Sequence, residues 1–222
     1  PNPTITISSS SASVCIGFSS TINAGGANTY TWSTGANTSA IVVSPTVTSS
    51  YTVNSTDLNG CITNTSVVIA LNPQPTLTAV AINTGVCLGL STNLVANGAS
   101  TYTWNTIPSQ NTSGITASPT SATAYSVSGT NTVGCISSTT QIVIVQPNPT
   151  ITVGANPAFI CKGGVSTTTA SGAHTYTWSN SITGSLSAVN PTVTSIYSVT
   201  GTYTNTPQQC TTTQTVQVIV FE

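Results

Sequence analysis

SYTVNSTDLNGCITNTSVVIALN, residues 50–72, decides the fold. Its first arm alternates Tyr51, Val53 and Ser55 with Thr52, Asn54 and Thr56, and its second arm runs into the β-branched stretch Val67–Val68–Ile69. Alternation at period two, carried by aromatic and β-branched residues against Thr and Ser, marks a strand with one buried face. Between the arms lie Leu58, Asn59 and Gly60, residues that turn a chain, so the segment reads as a hairpin with Cys61 at its tip.

The same pattern returns twice. Cys15, Trp32, Tyr51 and Cys61 recur as Cys87, Trp104, Tyr125 and Cys135, and again as Cys161, Trp178, Tyr197 and Cys210. The first cysteines are 72 and 74 residues apart, and Trp follows its Cys by 17 residues in every copy. A period this long is a whole small domain, not one unit of a solenoid. The boundaries fall at 1–72, 73–146 and 147–222. Each copy has a proline twelve residues before its first Cys (Pro3, Pro75, Pro149), then a TYTW strand (29–32, 101–104, 175–178). Each closes on an apolar strand, SVVIALN, QIVIVQ or TVQVIVFE. Gly, Pro, Asn and Ser clusters break the strands every 8–12 residues, and no window has a 3.6-residue period. The expected fold is all-β: three tandem immunoglobulin-like sandwiches, each of about seven antiparallel strands, joined by short Pro-rich linkers. Trp32, Trp104 and Trp178, with Tyr51, Tyr125 and Tyr197, are the expected core aromatics.

Domains of about 74 residues are small for a self-sufficient core, and a covalent staple is a common remedy. Six cysteines in three matched pairs favour disulfides, with free buried thiols as the alternative, and disulfides favour an exported, oxidising location. One bridge per domain is expected, from Cys15 to Cys61, Cys87 to Cys135 and Cys161 to Cys210. The Cys15–Cys61 loop of 46 residues corresponds to about 4 kcal/mol of chain-entropy stabilisation. The linkers LNPQPT (71–76) and VQPNPT (145–150) each carry two prolines and read as stiff spacers.

Charge is almost absent. Lys162, Asp57 and Glu222 are the whole inventory, 1% of the chain, where about 25% is ordinary. Thr, Ser and Asn make up 97 of the 222 residues instead. Without a basic face there is no expectation of nucleic-acid binding, and without Lys/Arg clusters none of attraction to anionic lipid. No apolar run of 18 residues occurs, so no direct membrane insertion is expected. His174 is the single histidine, and it and Asp57 fall in different copies, so neither a Ser-His-Asp triad nor a metal or cofactor site is expected. The chain is expected not to be an enzyme. Met is absent even at position 1, which reads as an internal segment of a longer exported protein.

TYTWSTGANTS and SYTVNSTDLNGCITNTSVVIALNP resemble the PKD and immunoglobulin-like repeats of very large surface proteins in Bacteroidota, among them gliding-motility adhesins and type 9 secreted proteins. The resemblance covers all three copies. PKD domains usually follow the Trp strand with Phe-Gly-Asp-Gly, whereas Trp32 is followed by Ser33, Thr34, Gly35 and Ala36, which favours the looser immunoglobulin-like label. The resemblance implies an extracellular adhesive array, surface filament or stalk, with no catalytic residues.

The resulting expectation is a cell-surface structural or adhesive protein that self-associates with neighbouring copies. Its neutral Thr- and Asn-rich faces have no long-range repulsion to hold them apart. The alternative is a carbohydrate-binding adhesin module recognising surface glycans, which needs exposed aromatic residues. Strand exchange between chains would use edge segments at Pro1–Ser10 or Thr215–Glu222.

Overall fold

The computed structural model describes residues 4–205 and 208–222. Pro1 and Pro3 of the opening segment therefore lie outside the described residues, as do Thr206 and Pro207 of the loop that ends at Cys210.

The described residues form strands and turns, without helix. Repeat 1 consists of β1 (Thr6–Ser9), β2 (Ser13–Cys15), β3 (Ser20–Gly25), β4 (Thr29–Trp32), β5 (Ala40–Val43), β6 (Ser49–Thr56) and β7 (Ile62–Asn72). These make a three-stranded sheet, β1-β3-β5, and a four-stranded sheet, β2-β7-β6-β4. Repeat 2 uses β8 (Thr78–Ala81), β9 (Gly85–Cys87), β10 (Thr92–Asn97), β11 (Thr101–Trp104), β12 (Gly114–Ala117), β13 (Thr123–Thr130) and β14 (Ile136–Gln146). Repeat 3 uses β15 (Thr152–Asn156), β16 (Phe159–Cys161), β17 (Ser166–Ser171), β18 (Thr175–Trp178), β19 (Leu186–Val189), β20 (Ser195–Thr202) and β21 (Thr211–Phe221). Both follow the strand order of repeat 1. The architecture is three tandem immunoglobulin-like sandwiches.

Alternation in the sequence becomes burial in the fold. In repeat 1, Ile22, Ala24, Ile41 and Val43 come inward from the three-stranded sheet. Val14, Trp32, Val53 and Ile69 come inward from the other sheet, with Ile22, Val53 and Ile69 wholly buried. Each such Val or Ile contributes about 1.5–3 kcal/mol by leaving water. In repeat 3, Trp178 and Val199 form a cluster with Ile151, Ala170 and Tyr176, and Tyr197 packs on it.

The hairpin read from residues 50–72 is present, with Ser49 opposite Ile69 and Thr56 opposite Ile62. One pairing per repeat departs from the expected antiparallel pattern. The chain leaves β1, crosses to the other sheet at Ser10–Ala12 without reversing, and so β2 runs parallel to β7, with Cys15 opposite Asn72. The equivalent parallel pairs set Cys87 opposite Gln146 and Cys161 opposite Phe221.

The crossing is held by a hydroxyl that sequence reasoning did not single out. Ser20 Oγ donates to Ser11 O (2.9 Å) and accepts from Ser11 N (3.2 Å). Thr92 Oγ1 accepts from Asn83 N (3.0 Å), and Ser166 Oγ donates to Pro157 O (2.8 Å). All three hydroxyl residues are buried, and each lies five residues after the first Cys of its copy.

Compactness divides the chain differently from the repeats. One unit is Pro1–Thr78, Asn97–Trp104 and Val127–Thr139; the other is Ala79–Ala96, Asn105–Ser126 and Thr140–Glu222. The division passes through repeat 2. Of the two expected edge segments, β1 is an edge strand, but Thr215–Phe221 belongs to β21, which lies between β16 and β20. Thr215–Val218 pair with β20 and Ile219–Phe221 with β16, so the segment lies inside the sheet order and not at its edge.

Candidate functional site: the cysteine-bearing repeat ends

Within one copy, the two cysteines sit at opposite ends of the last strand. Cys61 immediately precedes β7 and Cys15 lies opposite its final residue, Asn72. Eleven residues at about 3.3 Å each separate them by roughly 35 Å. A disulfide needs Cα atoms within about 7 Å. The expected Cys15–Cys61 bridge is therefore geometrically impossible, and the same argument applies to Cys87–Cys135 across β14 and to Cys161–Cys210 across β21.

The observed bonds join consecutive repeats. Cys15 is bonded to Cys135 (Cα–Cα 5.6 Å) and Cys87 to Cys210 (5.4 Å). The rule is uniform: the first cysteine of one copy takes the second cysteine of the next. Each bond lies inside one compact unit, Cys15–Cys135 in the first and Cys87–Cys210 in the second. Cys61 and Cys161, expected in disulfides, are free thiols, the first half-buried and the second exposed. The cause is the parallel β2–β7 pairing. It carries the first cysteine to the end where the chain leaves for the next repeat, while the hairpin tip stays at the end where the chain enters.

Polar contacts support the first bridge. Asn131 Nδ2 donates to Pro73 O (3.0 Å) and Ser137 Oγ to Pro75 O (2.7 Å), so the tip hairpin of repeat 2 holds the linker that leads into it. Leu77, just past that linker, packs so closely over Gly129 that a Cβ there would lie 2.7 Å from Leu77 Cδ1. At the second bridge, Asn148 Nδ2 donates to Leu88 O (3.1 Å). A crevice lined by Cys87, Leu88, Leu90, Asn148 and Cys210 runs beside that bridge.

The turns that present the cysteines are repeated in detail. Asn131 Oδ1 accepts from Val133 N (3.1 Å) and Cys135 N (2.9 Å), and Asp57 Oδ1 accepts from Asn59 N and Cys61 N (both 2.8 Å). The residue before each second cysteine is left-handed: Gly60 (φ 79°), Gly134 (φ 86°) and Gln209 (φ 47°). At the other end, a backbone turn closes on each first cysteine through Phe18 N to Cys15 O, Leu90 N to Cys87 O and Gly164 N to Cys161 O.

The expected core aromatics are placed as follows. Trp32, Trp104 and Trp178 are 1–2% exposed. Trp32 Nε1 donates to Thr38 O (2.7 Å) and Trp178 Nε1 to Gly184 O (3.0 Å). Tyr51, Tyr125 and Tyr197 are half-buried at the margins. Glycan stacking on the tryptophans would require faces that the cores occupy. A second set of tyrosines fixes the loop before each TYTW strand, as the hydroxyls of Tyr30, Tyr102 and Tyr176 donate to Ala27 O, Ala99 O and Ala173 O. Among the described residues, no group of three or more His, Cys, Asp or Glu could hold a metal ion, and no helix is long and apolar enough to cross a membrane. The His174 ring lies tilted against Tyr203, centroids 5.0 Å apart, and its Nδ1 accepts from Thr204 N (3.2 Å).

No protein-family model matches the chain, and no characterised protein matches it in sequence. Among solved structures, it is similar to a Ca2+-stabilised adhesin with which an Antarctic bacterium reaches out and binds ice (13% identity, TM-score 0.41, covering 100% of this chain and 74% of that one). It is similar also to a 1.5-MDa bacterial ice-binding adhesin (12% identity, TM-score 0.36, 99% and 98% covered) and to murine CEACAM1b (16% identity, TM-score 0.31, 65% and 100% covered).

Proposed function

We propose that the chain is an extracellular structural and adhesive tandem-repeat protein, part of a cell-surface stalk or filament, with the repeats 1–72, 73–146 and 147–222 as its beads. The observation that supports this reading is the disulfide pattern. A bond inside each domain would stabilise domains one at a time, whereas bonds from one domain to the next resist separation of neighbours. The loops Cys15–Cys135 and Cys87–Cys210 also overlap, so tension applied at the termini passes from Cys15 to Cys135, back along the chain to Cys87, and across to Cys210. Most of repeats 1 and 3 is thereby bypassed. Disulfides of this kind persist in oxidising surroundings, which fits an exported location.

Single-molecule pulling from the two termini tests the mechanical reading. With both bridges intact, roughly 75 residues can extend, about 25 nm at ~3.4 Å per residue; after reduction the whole chain can extend, about 75 nm. Electron microscopy of the native material supplies the second half of the test: thin beaded fibres that soften under reductant. An oxidised chain that extends as far as the reduced one, or native material that is dispersed and monomeric, would overturn the proposal.

A further inference from the structure

Two cysteines obey the pairing rule without a partner among these residues. Cys161 is a first cysteine, and its counterparts Cys15 and Cys87 are bonded to the hairpin-tip cysteine of the following repeat. Cys61 is a second cysteine, and its counterparts Cys135 and Cys210 are bonded to the first cysteine of the preceding repeat. The two free positions are therefore complementary to each other, like the opposite ends of a ladder.

Both ends are already shaped for the bond. Cys161 lies opposite Phe221 in the same parallel register that sets Cys15 opposite Asn72 and Cys87 opposite Gln146. The backbone turn on its carbonyl is the one found at the two bonded first cysteines. Cys61 is held by Asp57 Oδ1 as Cys135 is held by Asn131 Oδ1. Burial reports the difference that bonding makes. Cys135 and Cys210 are 0% and 1% exposed, whereas Cys61 is half-buried; Cys87 is 3% exposed and Cys15 half-buried, whereas Cys161 is exposed. Beside Cys161, Phe159 and Phe221 stack at 6.0 Å and stand 58% and 56% exposed, an apolar shelf at the end of the last sheet.

We infer that Cys161 and Cys61 are head and tail of a continuing disulfide ladder, and that the partner of each is the complementary cysteine of another such repeat, supplied by a second copy of this chain. A contact between two different surface patches that carries a rotation without closing generates a filament, and here each step would be covalent. The bond forms by thiol–disulfide exchange. A thiolate attacks a small-molecule or enzyme disulfide and displaces one thiol. The second thiol of the pair then attacks the mixed disulfide and displaces the other. Two cysteine thiols become one cystine, and the oxidant leaves as two thiols carrying both electrons and both protons. The inference rests on the disulfide register and not on the adhesive reading, so either can fail alone.

The test uses the whole chain, with its two internal bridges intact, incubated in a buffer of reduced and oxidised glutathione. Non-reducing electrophoresis is expected to show dimers, trimers and longer species, and peptide mapping to find Cys61 joined to Cys161. Cys61→Ser and Cys161→Ser, both outside the cores, are each expected to stay monomeric. Their mixture should give a dimer and nothing longer. Thiols that remain titratable in the folded protein overturn the inference, as do Cys61–Cys61 and Cys161–Cys161 bonds in statistical proportion. Mapping of native material distinguishes the sources. A Cys61–Cys161 peptide identifies a second copy, and bonds to cysteines of further repeats in the same polypeptide keep the ladder but reject the second copy as its supplier. Bonds to a sequence of another kind overturn the ladder.

Discussion

Cys15 and Cys135 are 120 residues apart in sequence and belong to different repeats, yet their Cα atoms are 5.6 Å apart and their sulfurs are bonded. A loop that long corresponds to about 5 kcal/mol in the chain-entropy model, of the same order as the whole stability of a small domain. Digestion without reduction is expected to yield one peptide joining Cys15 to Cys135 and another joining Cys87 to Cys210. Recovery of Cys15–Cys61 or Cys87–Cys135 would contradict the strand register itself. Replacing Cys15 and Cys135 together by Ser is expected to cost about 2–5 kcal/mol in chemical denaturation.

Ser20 is expected to matter more than its neighbour Ser19. Its buried hydroxyl both donates to and accepts from the backbone of Ser11, where the chain changes sheets. Ser20→Ala removes the partner of the Ser11 carbonyl and amide at the crossing; Ser11 is exposed and water can replace it, so the cost is about 0.5–1.5 kcal/mol. Ser19→Ala, at an exposed position, should change the thermal midpoint little. Equal effects from the two variants would show that the Ser20 hydroxyl does not hold the crossing.

Period-two alternation in residues 50–72 and the TYTW strands revealed the sandwich, because those strands are half-buried and long enough to show their period. The positions of Cys61, Cys135 and Cys210 at hairpin tips were legible for the same reason. The partners were not. They depend on β2, β9 and β16, which are three residues each and carry no readable period. Their parallel pairing follows from a crossing between sheets that only tertiary packing decides. The signal that could have exposed it is the hydroxyl residue five positions after each first cysteine, Ser20, Thr92 and Ser166, kept in a chain where Ser and Thr are too common to stand out.

Gln209 occupies a left-handed position where the other two repeats have glycine. A side chain there meets the following carbonyl, at roughly 1–2 kcal/mol for an ordinary L-residue. Gln209→Gly is expected to stabilise the Cys210 turn by about 1 kcal/mol, less the entropy that glycine adds to the unfolded chain. The mirror experiment, Gly60→Gln, should destabilise by a similar amount. A loss of stability in Gln209→Gly would mean that the Gln side chain contributes more than its backbone costs.

Ser55 is fully buried, and its Oγ has no hydrogen-bond partner among the described residues. The register explains why the other repeats avoid the problem. Ser55 lies opposite Tyr30, where repeats 2 and 3 set Gly129 opposite Tyr102 and Gly201 opposite Tyr176. Leu77 and Ile151 fill the space over those glycines. Repeat 1 keeps a side chain there and buries a hydroxyl without a partner, which costs about 1–3 kcal/mol. Ser55→Ala removes the hydroxyl, keeps the Cβ and needs no movement of its neighbours, so it is expected to raise stability by about 1 kcal/mol in urea denaturation followed by Trp fluorescence. Gly129→Ala should do the opposite, because its new Cβ would meet Ala99 Cβ, which cannot rotate away, and Leu77 Cδ1, each at 2.7 Å. A destabilised Ser55→Ala would show that the hydroxyl does find a partner in solution.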